Sequence, residues 1–291
     1  MFDKYYIIDE VSMLDMELAN ILFKAIPTGS LVILVGDIDQ LPSVGPGDVL
    51  NDLINAGIPT YRLEGSFRQE NGSCIVENAQ RVKQGISTLI EKDDFTIIHA
   101  KNEEEAIKMA AWTAAEGAVL LTPLRKTVCG SVELSNEIQS LLNRTGAFKL
   151  YGKTAFYKND KVIATDNNYQ LGFFNGEYGI VTEISDEGLV IQFSKKIIFV
   201  PNSFLGQIVL AYAITIHKSQ GAEFNRVTIL LSRKSMRMLQ MNLLYTAITR
   251  AKKEVTIITE DDCLETAINN KRPIRQTGLT NRIKQNMKNP S

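Results

Sequence analysis

No stretch of these 291 residues approaches the roughly 18 consecutive apolar positions that a membrane-crossing helix requires, so no membrane is expected as a partner. Cysteine is scarce: Cys74, Cys129 and Cys263 are odd in number, far apart and without a CxxC pair. That pattern excludes a disulfide framework and a cysteine-held zinc ion, and leaves buried free thiols as the expectation. Histidine is scarcer still, with only His99 and His217, too few for a histidine metal centre. Charge of either sign is not in excess, since 32 Lys and Arg face 33 Asp and Glu for a net charge of −1. Bulk electrostatics therefore give no sign of a nucleic-acid partner, and any such role needs local patches. Patches exist at Arg233, Lys234 and Arg237, at Arg250, Lys252 and Lys253, and from Lys271 to Lys288, which holds basic residues and no acidic ones. A solvated surface explains the first and last of these equally well. The start, Met1 to Glu10, has no basic region followed by an apolar stretch and a small-residue cleavage site, so a cytoplasmic location is expected.

What is present is the pattern of a folded α/β protein. Hydrophobic residues make up 44% and charged ones 22%, enough for a substantial core. Lys4 to Asp9 and Leu31 to Gly36 read as buried strands. Between them a helix starts at Asp15, a candidate N-cap, with an apolar stripe at Leu18, Ile21, Leu22 and Ala25. Strand, helix and strand within about 35 residues indicate a βαβ crossover in a parallel sheet. A second alternation begins near Ala118, passes through a helix from Val132 to Leu142, and resumes at Arg226 to Leu231 and Val255 to Thr259. Between its halves the period changes. Lys161 to Ala164, Gly176 to Ile184, Gly188 to Phe193 and Ile197 to Val200 are short β-branched or aromatic runs separated by turn residues, which predicts an antiparallel β module inserted into an α/β domain.

The chemistry-bearing motifs follow these strands. Tyr5-Tyr6-Ile7-Ile8-Asp9-Glu10 is an apolar strand ending in two carboxylates. At the carboxyl edge of a parallel sheet such a pair can hold Mg²⁺ through Asp9 and polarise a water through Glu10, although a solvated strand end has the same composition. The next strand runs into Gly36-Asp37-Ile38-Asp39-Gln40-Leu41-Pro42-Ser43-Val44-Gly45-Pro46-Gly47, where Gln40 offers both a donor and an acceptor to a γ-phosphate and its attacking water. Arg68, in Gly65-Ser66-Phe67-Arg68-Gln69, is suited to bidentate phosphate contact, although taken singly it reads as a surface ion pair. In the second half, Thr215 to Phe224 and Leu244 to Lys252 each precede an apolar strand. Arg250, near the end of a predicted helix among small residues, could reach a transferring phosphoryl group from a second domain. His217 and Tyr245, taken singly, read as structural.

The ordered set Ile-Ile-Asp-Glu, Gly-Asp-Ile-Asp-Gln-Leu-Pro, Ser-Phe-Arg-Gln, Leu-Leu-Thr-Pro, Thr-Ile-His-Lys-Ser-Gln-Gly-Ala-Glu-Phe and Tyr-Thr-Ala-Ile-Thr-Arg-Ala resembles helicase motifs II to VI over residues 4 to 260. The wording is closest to superfamily 1B DNA helicases of the RecD/TraA type, including the exodeoxyribonuclease V alpha subunit. The resemblance implies RecA-like, P-loop NTPase-type parallel sheets that clamp ATP and Mg²⁺, an SH3-like insert, and 5′ to 3′ movement on single-stranded DNA in recombination and repair. It implies Asp9 as the metal ligand and Glu10 as the water-activating base. Gln40, Arg68 and Arg250 would contact the γ-phosphate, with Glu223 and Gly221 at the nucleotide. Thr122, Thr215, His217 and Ser219 would lie near the DNA. Other subunits of an exodeoxyribonuclease V-like complex are implied as possible partners.

The expected layout is a truncated first RecA-like domain over 1–70, and a second over 71–155 and 208–270. The SH3-like module occupies 156–207, and a basic tail open to disorder occupies 271–291. No Gly-x-x-x-x-Gly-Lys-Ser/Thr loop is present. Gly152-Lys153-Thr154 is a decoy, because Gly146 is one residue too far upstream and a strand follows where a helix is needed. The chain therefore reads as the C-terminal portion of the motor, starting at the Asp-Glu strand and inactive towards ATP by itself, with exposed apolar surface in its first domain. The competing reading is a non-catalytic module that binds single-stranded DNA or a partner. A nuclease is disfavoured, since only His99 and His217 are available as metal-ligand histidines.

Overall fold

The computed structural model describes residues 4–63, 72–142, 145–194, 196–271 and 275–288. The first domain is small. Strands β1 (Tyr5–Ile8) and β2 (Leu31–Leu34) pair in parallel with Tyr5 opposite Leu31 and Ile8 opposite Leu34. Helix α1 (Met16–Ala25) joins them, and α2 (Val49–Ala56) follows. Asp15 caps α1 as expected, its Oδ1 accepting the Leu18 N–H at 2.8 Å.

Val11, Leu14, Ala19 and Val49 form the core here, backed by Ile8, Leu22, Leu34 and Leu53. This core covers one face of the strand pair. The other face shows Tyr5 and Ile7, each 71% exposed, with Leu31 and Ile33 beside them. The expectation of fully buried strands fails for that reason: helices lie against one side of the pair only. The apolar stripe of α1 is likewise turned, with Leu18, Ile21 and Ala25 outward and Ala19 and Leu22 inward. The Met16 N–H donates to the Pro46 carbonyl, so the following loop sets the rotation of the helix.

The second domain is built on α3 (Cys74–Lys83), β3 (Phe95–Ala100), α4 (Glu103–Ala115), β4 (Val119–Thr122) and α5 (Ser131–Leu141). The chain then makes a hairpin of β5 (Phe148–Tyr151) and β6 (Thr154–Tyr157). Next comes an antiparallel module of β7 (Lys161–Ala164), β8 (Tyr178–Ile184), β9 (Gly188–Phe193), β10 (Lys196–Pro201) and β11 (Ile208–Leu210). It returns as β12 (Ala213–Thr215), β13 (Phe224–Leu231), α6 (Met241–Ile248), β14 (Ala251–Glu260) and α7 (Cys263–Asn269).

The main sheet has the order β12-β4-β13-β14-β3, parallel throughout. Its strands are near-continuous apolar runs because both faces are covered. Leu121, Ile229 and Ile257 face α3, α6 and α7, whereas Leu120, Leu230 and Ile258 face α4, α5 and the inserted module. The module's own order is β10-β9-β8-β7-β11. Gly152 and Lys153 are the turn of the β5-β6 hairpin, with Gly152 at φ 58°, which removes the phosphate-loop decoy.

The expected tail differs from the structure most. Helix α8 (Leu279–Lys288) packs on α2 of the first domain, so the chain crosses back over the molecule instead of ending in a free basic arm. Its basic residues hide this, since a run without acidic partners reads as solvated.

Asp160, fully buried, joins the inserted module to the sheet. Its Oδ2 accepts from Gln139 Nε2 at 2.6 Å and from the Tyr157 N–H at 2.7 Å, and its Oδ1 accepts from the Tyr212 hydroxyl at 2.7 Å. Tyr212→Phe is expected to lower stability by about 1.5–3 kcal/mol, the worth of a hydrogen bond to a charged group, measured by chemical denaturation. A change under about 0.5 kcal/mol would show that Asp160 is satisfied without it.

Candidate functional site

The two domains meet at the loop after β2. Leu41 is 6% exposed and sits in the second domain's core with Ile216, Leu243 and Ile248. Its N–H donates to Thr246 Oγ1 at 2.8 Å, and its carbonyl accepts from Gln220 Nε2 at 2.9 Å. Asp37 Oδ2 accepts the Tyr245 hydroxyl at 2.8 Å, and Lys83 pairs with Asp39 at 2.5 Å. Burial first, and then the Asp37 carboxylate, push the Tyr245 phenol well above its ordinary range, so it remains a proton donor. Both stretches that the sequence marks near residues 40 and 245 therefore lie on one seam.

On the first domain, β1 delivers Asp9 and Glu10 to the carboxyl edge of the strand pair. The Glu10 N–H donates to Asp9 Oδ1 at 2.8 Å, and Glu10 adopts left-handed backbone angles of φ 55° and ψ 36°. Such angles cost a residue other than glycine about 1–2 kcal/mol, and strain of this kind concentrates at functional sites. The Val11 N–H donates to the Val35 carbonyl, which seats the turn against Gly36. A Cβ at Gly36 would lie 3.0 Å from the Ser12 nitrogen and 3.2 Å from the Val11 nitrogen, so glycine is needed for this close approach.

Gln40 is 9% exposed, and its Oε1 is buried with no hydrogen-bond partner among the described residues. Asn242 Oδ1, on the facing α6, is in the same condition. Two orphaned acceptors at one seam suit a ligand that brings hydrogen-bond donors, such as a positioned water. Arg250 does not project across the seam here. It is 1% exposed, with Nε donating to the Thr246 carbonyl, Nη1 to the Ala222 carbonyl and Nη2 to Thr249 Oγ1. Contact with a phosphate requires it to exchange those partners. Glu223 pairs with Lys252 at 2.9 Å, and Gly221 has φ 74°. Arg68 lies outside the described residues.

Thr122 and Thr215 are register partners at the carboxyl ends of β4 and β12. Thr122 is buried, with its hydroxyl donating to the Cys129 carbonyl at 2.7 Å, and Ser219 is buried with its hydroxyl on the Ile216 carbonyl. These two shape loops instead of offering a surface. Thr215 and His217 are half-buried, and desolvation holds the His217 imidazole below its ordinary value, so it is neutral near pH 7.

Sequence reasoning missed the cation next to it. The Lys218 ammonium is held below its usual range, first by burial and then by the Arg125 guanidinium nearby. No period or spacing marks this pair of cations, because Arg125 follows β4 and Lys218 follows β12, far apart in sequence.

Two parallel α/β elements around a motif-lined seam, with an antiparallel insert in the second, define a RecA-like class of α/β protein. Comparison with known proteins agrees. A model of an AAA domain matches residues 2–111, one of the ATP-dependent RecD-like DNA helicase SH3 domain matches 134–193, and one of the UvrD-like helicase C-terminal domain matches 210–258. The ATP-dependent RecD2 DNA helicase of Deinococcus radiodurans is 32% identical over 282 residues, covering 96% of this chain and 39% of that protein. The RecBCD enzyme subunit RecD of Mycobacterium tuberculosis is 29% identical over 308 residues, covering 95% and 53%. The chain thus spans about two-fifths and about half the length of these relatives. It belongs to the RecD-like helicase family. The Pif1 helicase of Candida albicans shares the fold at a TM-score of 0.56 and 16% identity, covering 99% of this chain and 77% of that one. Bacteroides Pif1 does so at a TM-score of 0.52 and 17% identity, covering 97% and 75%.

A double-mutant cycle on Asp37→Asn and Tyr245→Phe is expected to return a coupling of about 1–2 kcal/mol in denaturant unfolding. Additivity within about 0.3 kcal/mol would mean that this bond does not join the domains in solution.

Proposed function

We propose that the chain is the C-terminal portion of an ATP-dependent DNA helicase of the RecD type, moving 5′ to 3′ on single-stranded DNA in recombination and repair. The observation that carries this reading is the seam. It brings the loop holding Gln40 against the helix that leads to Arg250, linked through Leu41 and Thr246. A motor of this kind must convert nucleotide state into relative movement of its two domains, and a polar, partly unsatisfied interface between them is the element that can do so.

The residues present fit a nucleotide-Mg²⁺ complex in part. Asp9 would hold the ion, Glu10 would orient a water and take its proton, and the orphaned Oε1 of Gln40 would accept a hydrogen bond from that water. The ion itself would neutralise charge on the β- and γ-phosphates. Arg250, once released from Thr246 and Ala222, would stabilise charge that develops on the transferring group. The amide cradle and lysine of a P-loop are not among these 291 residues, so the triphosphate has no complete grip on this polypeptide. On the other side of the seam, Thr215, neutral His217, Lys218 and Arg125 would meet the DNA backbone. Reading a phosphate there and moving α6 against Asp37 and Leu41 would couple the two ligands.

This polypeptide alone is expected to show negligible ATP turnover, while a longer parent polypeptide bearing the P-loop hydrolyses ATP faster when single-stranded DNA is added. Steady-state phosphate release checks both, and Mg²⁺-dependent turnover by the 291 residues would overturn the first. Single-stranded DNA affinity should fall steeply with salt, through release of counterions from neutralised phosphates. An affinity flat across a tenfold salt change would reject the phosphate contacts.

A further inference from the structure

The segment that returns from the second domain to the first ends in a grip on one loop. Asn270 is anchored in the second domain, its carbonyl accepting the Met241 N–H and its Nδ2 donating to the Leu239 carbonyl. Five residues later, Arg275 reaches the first domain. Its Nη1 donates to Ser43 Oγ at 3.2 Å and to the carbonyls of Gly45 and Gly47 at 2.8 Å each, and its Nη2 donates to the Ser43 carbonyl at 2.7 Å. One guanidinium thus gathers four acceptors, three of them main-chain carbonyls. Only a forked, planar donor set does this; an ammonium has a single nitrogen to place among them.

The strap is pinned just beyond. The Thr277 and Thr280 hydroxyls donate to the two carboxylate oxygens of Asp52 at 2.5 and 2.7 Å, and Asp52 is 7% exposed on α2. The gripped loop is the one that begins at Asp37 and Gln40 and sends Leu41 into the second domain. Its other flank is pressed against α1, where the Asp15 carboxylate fills the space that a Cβ on Gly45 would take. The loop has no helix or strand of its own between β2 and α2, so its shape depends on what holds it from outside.

We infer that Arg275 is a positioning residue for the Gln40 loop. On this account the C-terminal strap is part of the machinery that couples the two domains, and not a polar tail. The inference rests on the proposed helicase function for its effect on turnover, but its structural half stands apart from that reading.

The test compares Arg275→Ala with the unsubstituted full-length protein in two measurements. In hydrogen exchange, the amides of Asp39, Gln40 and Leu41 should exchange about tenfold faster or more, while those of Val227 to Leu231 in β13 keep their protection. In steady state, DNA-stimulated kcat should fall about tenfold or more with the KM for ATP moved less than about threefold, because a misplaced loop harms the reacting geometry more than nucleotide affinity. Arg275→Lys should fail to restore either.

Unchanged exchange at 39–41 overturns the positioning role. An unchanged kcat in a parent that does hydrolyse ATP overturns the coupling. Should the parent show no DNA-stimulated turnover, the proposed function falls, and hydrogen exchange still decides the role of Arg275. Should Arg275→Ala also lose protection in β13, the same comparison is read on Arg275→Lys, which keeps the charge and the apolar stem.

Discussion

Leu41 is the point on which the arrangement of this molecule depends. A leucine at the tip of a loop gains only a few kcal/mol when it is withdrawn from water, yet it can do so here only by entering the core of another domain. The flanking main chain must then be satisfied, and Thr246 supplies the acceptor and Gln220 the donor that Leu41 needs. Once that loop is seated, Asp37 comes within reach of Tyr245 and Asp39 within reach of Lys83. Among the described residues the first domain contributes two strands and two α-helices, so this anchor, together with the C-terminal strap on α2, sets where Asp9 and Glu10 stand relative to the larger domain.

The same seam holds polar groups that are not matched to one another. Buried acceptors on Gln40 and Asn242 go unmatched, while the guanidinium that could serve a phosphate is spent on the Thr246 and Ala222 carbonyls. Leaving a buried acceptor unpaired costs of order 1–3 kcal/mol, and a ligand that repairs the deficit recovers it on binding. Neutral His217 and Lys218, whose ammonium is disfavoured first by burial and then by Arg125, lie in the turn that follows β12.

Much of the second domain was legible beforehand. Buried parallel strands are written as unbroken apolar runs, so β4, β13 and β14 stand out, and the shift to short alternating runs marks the inserted module. The limits have physical causes. The β5-β6 hairpin carries exposed Phe148 and Leu150, which blurs its alternation. In the first domain, period alone could not say which side of α1 or of β1 would find a partner, and the outward faces of Tyr5, Ile7, Leu18 and Ile21 are the result. The Thr122 and Ser219 hydroxyls serve nearby carbonyls, a fact that depends on backbone shape and not on residue type.

Residue identity and order by themselves determined the class of protein: the ordered motifs, the absence of a phosphate loop, the absence of a membrane-spanning run, and the parallel α/β plan with its β insert. These are local properties, fixed by strand and helix periods and by short spacings along the chain. Tertiary structure alone decided the rest. Asp37 and Tyr245 are separated by 208 residues, and Ser43 and Arg275 by 232, so neither pairing leaves a trace in local pattern. An aspartate, a tyrosine and an arginine are each common on ordinary surfaces, and only the packing of Leu41 and the return of the C-terminal strap bring them to one seam.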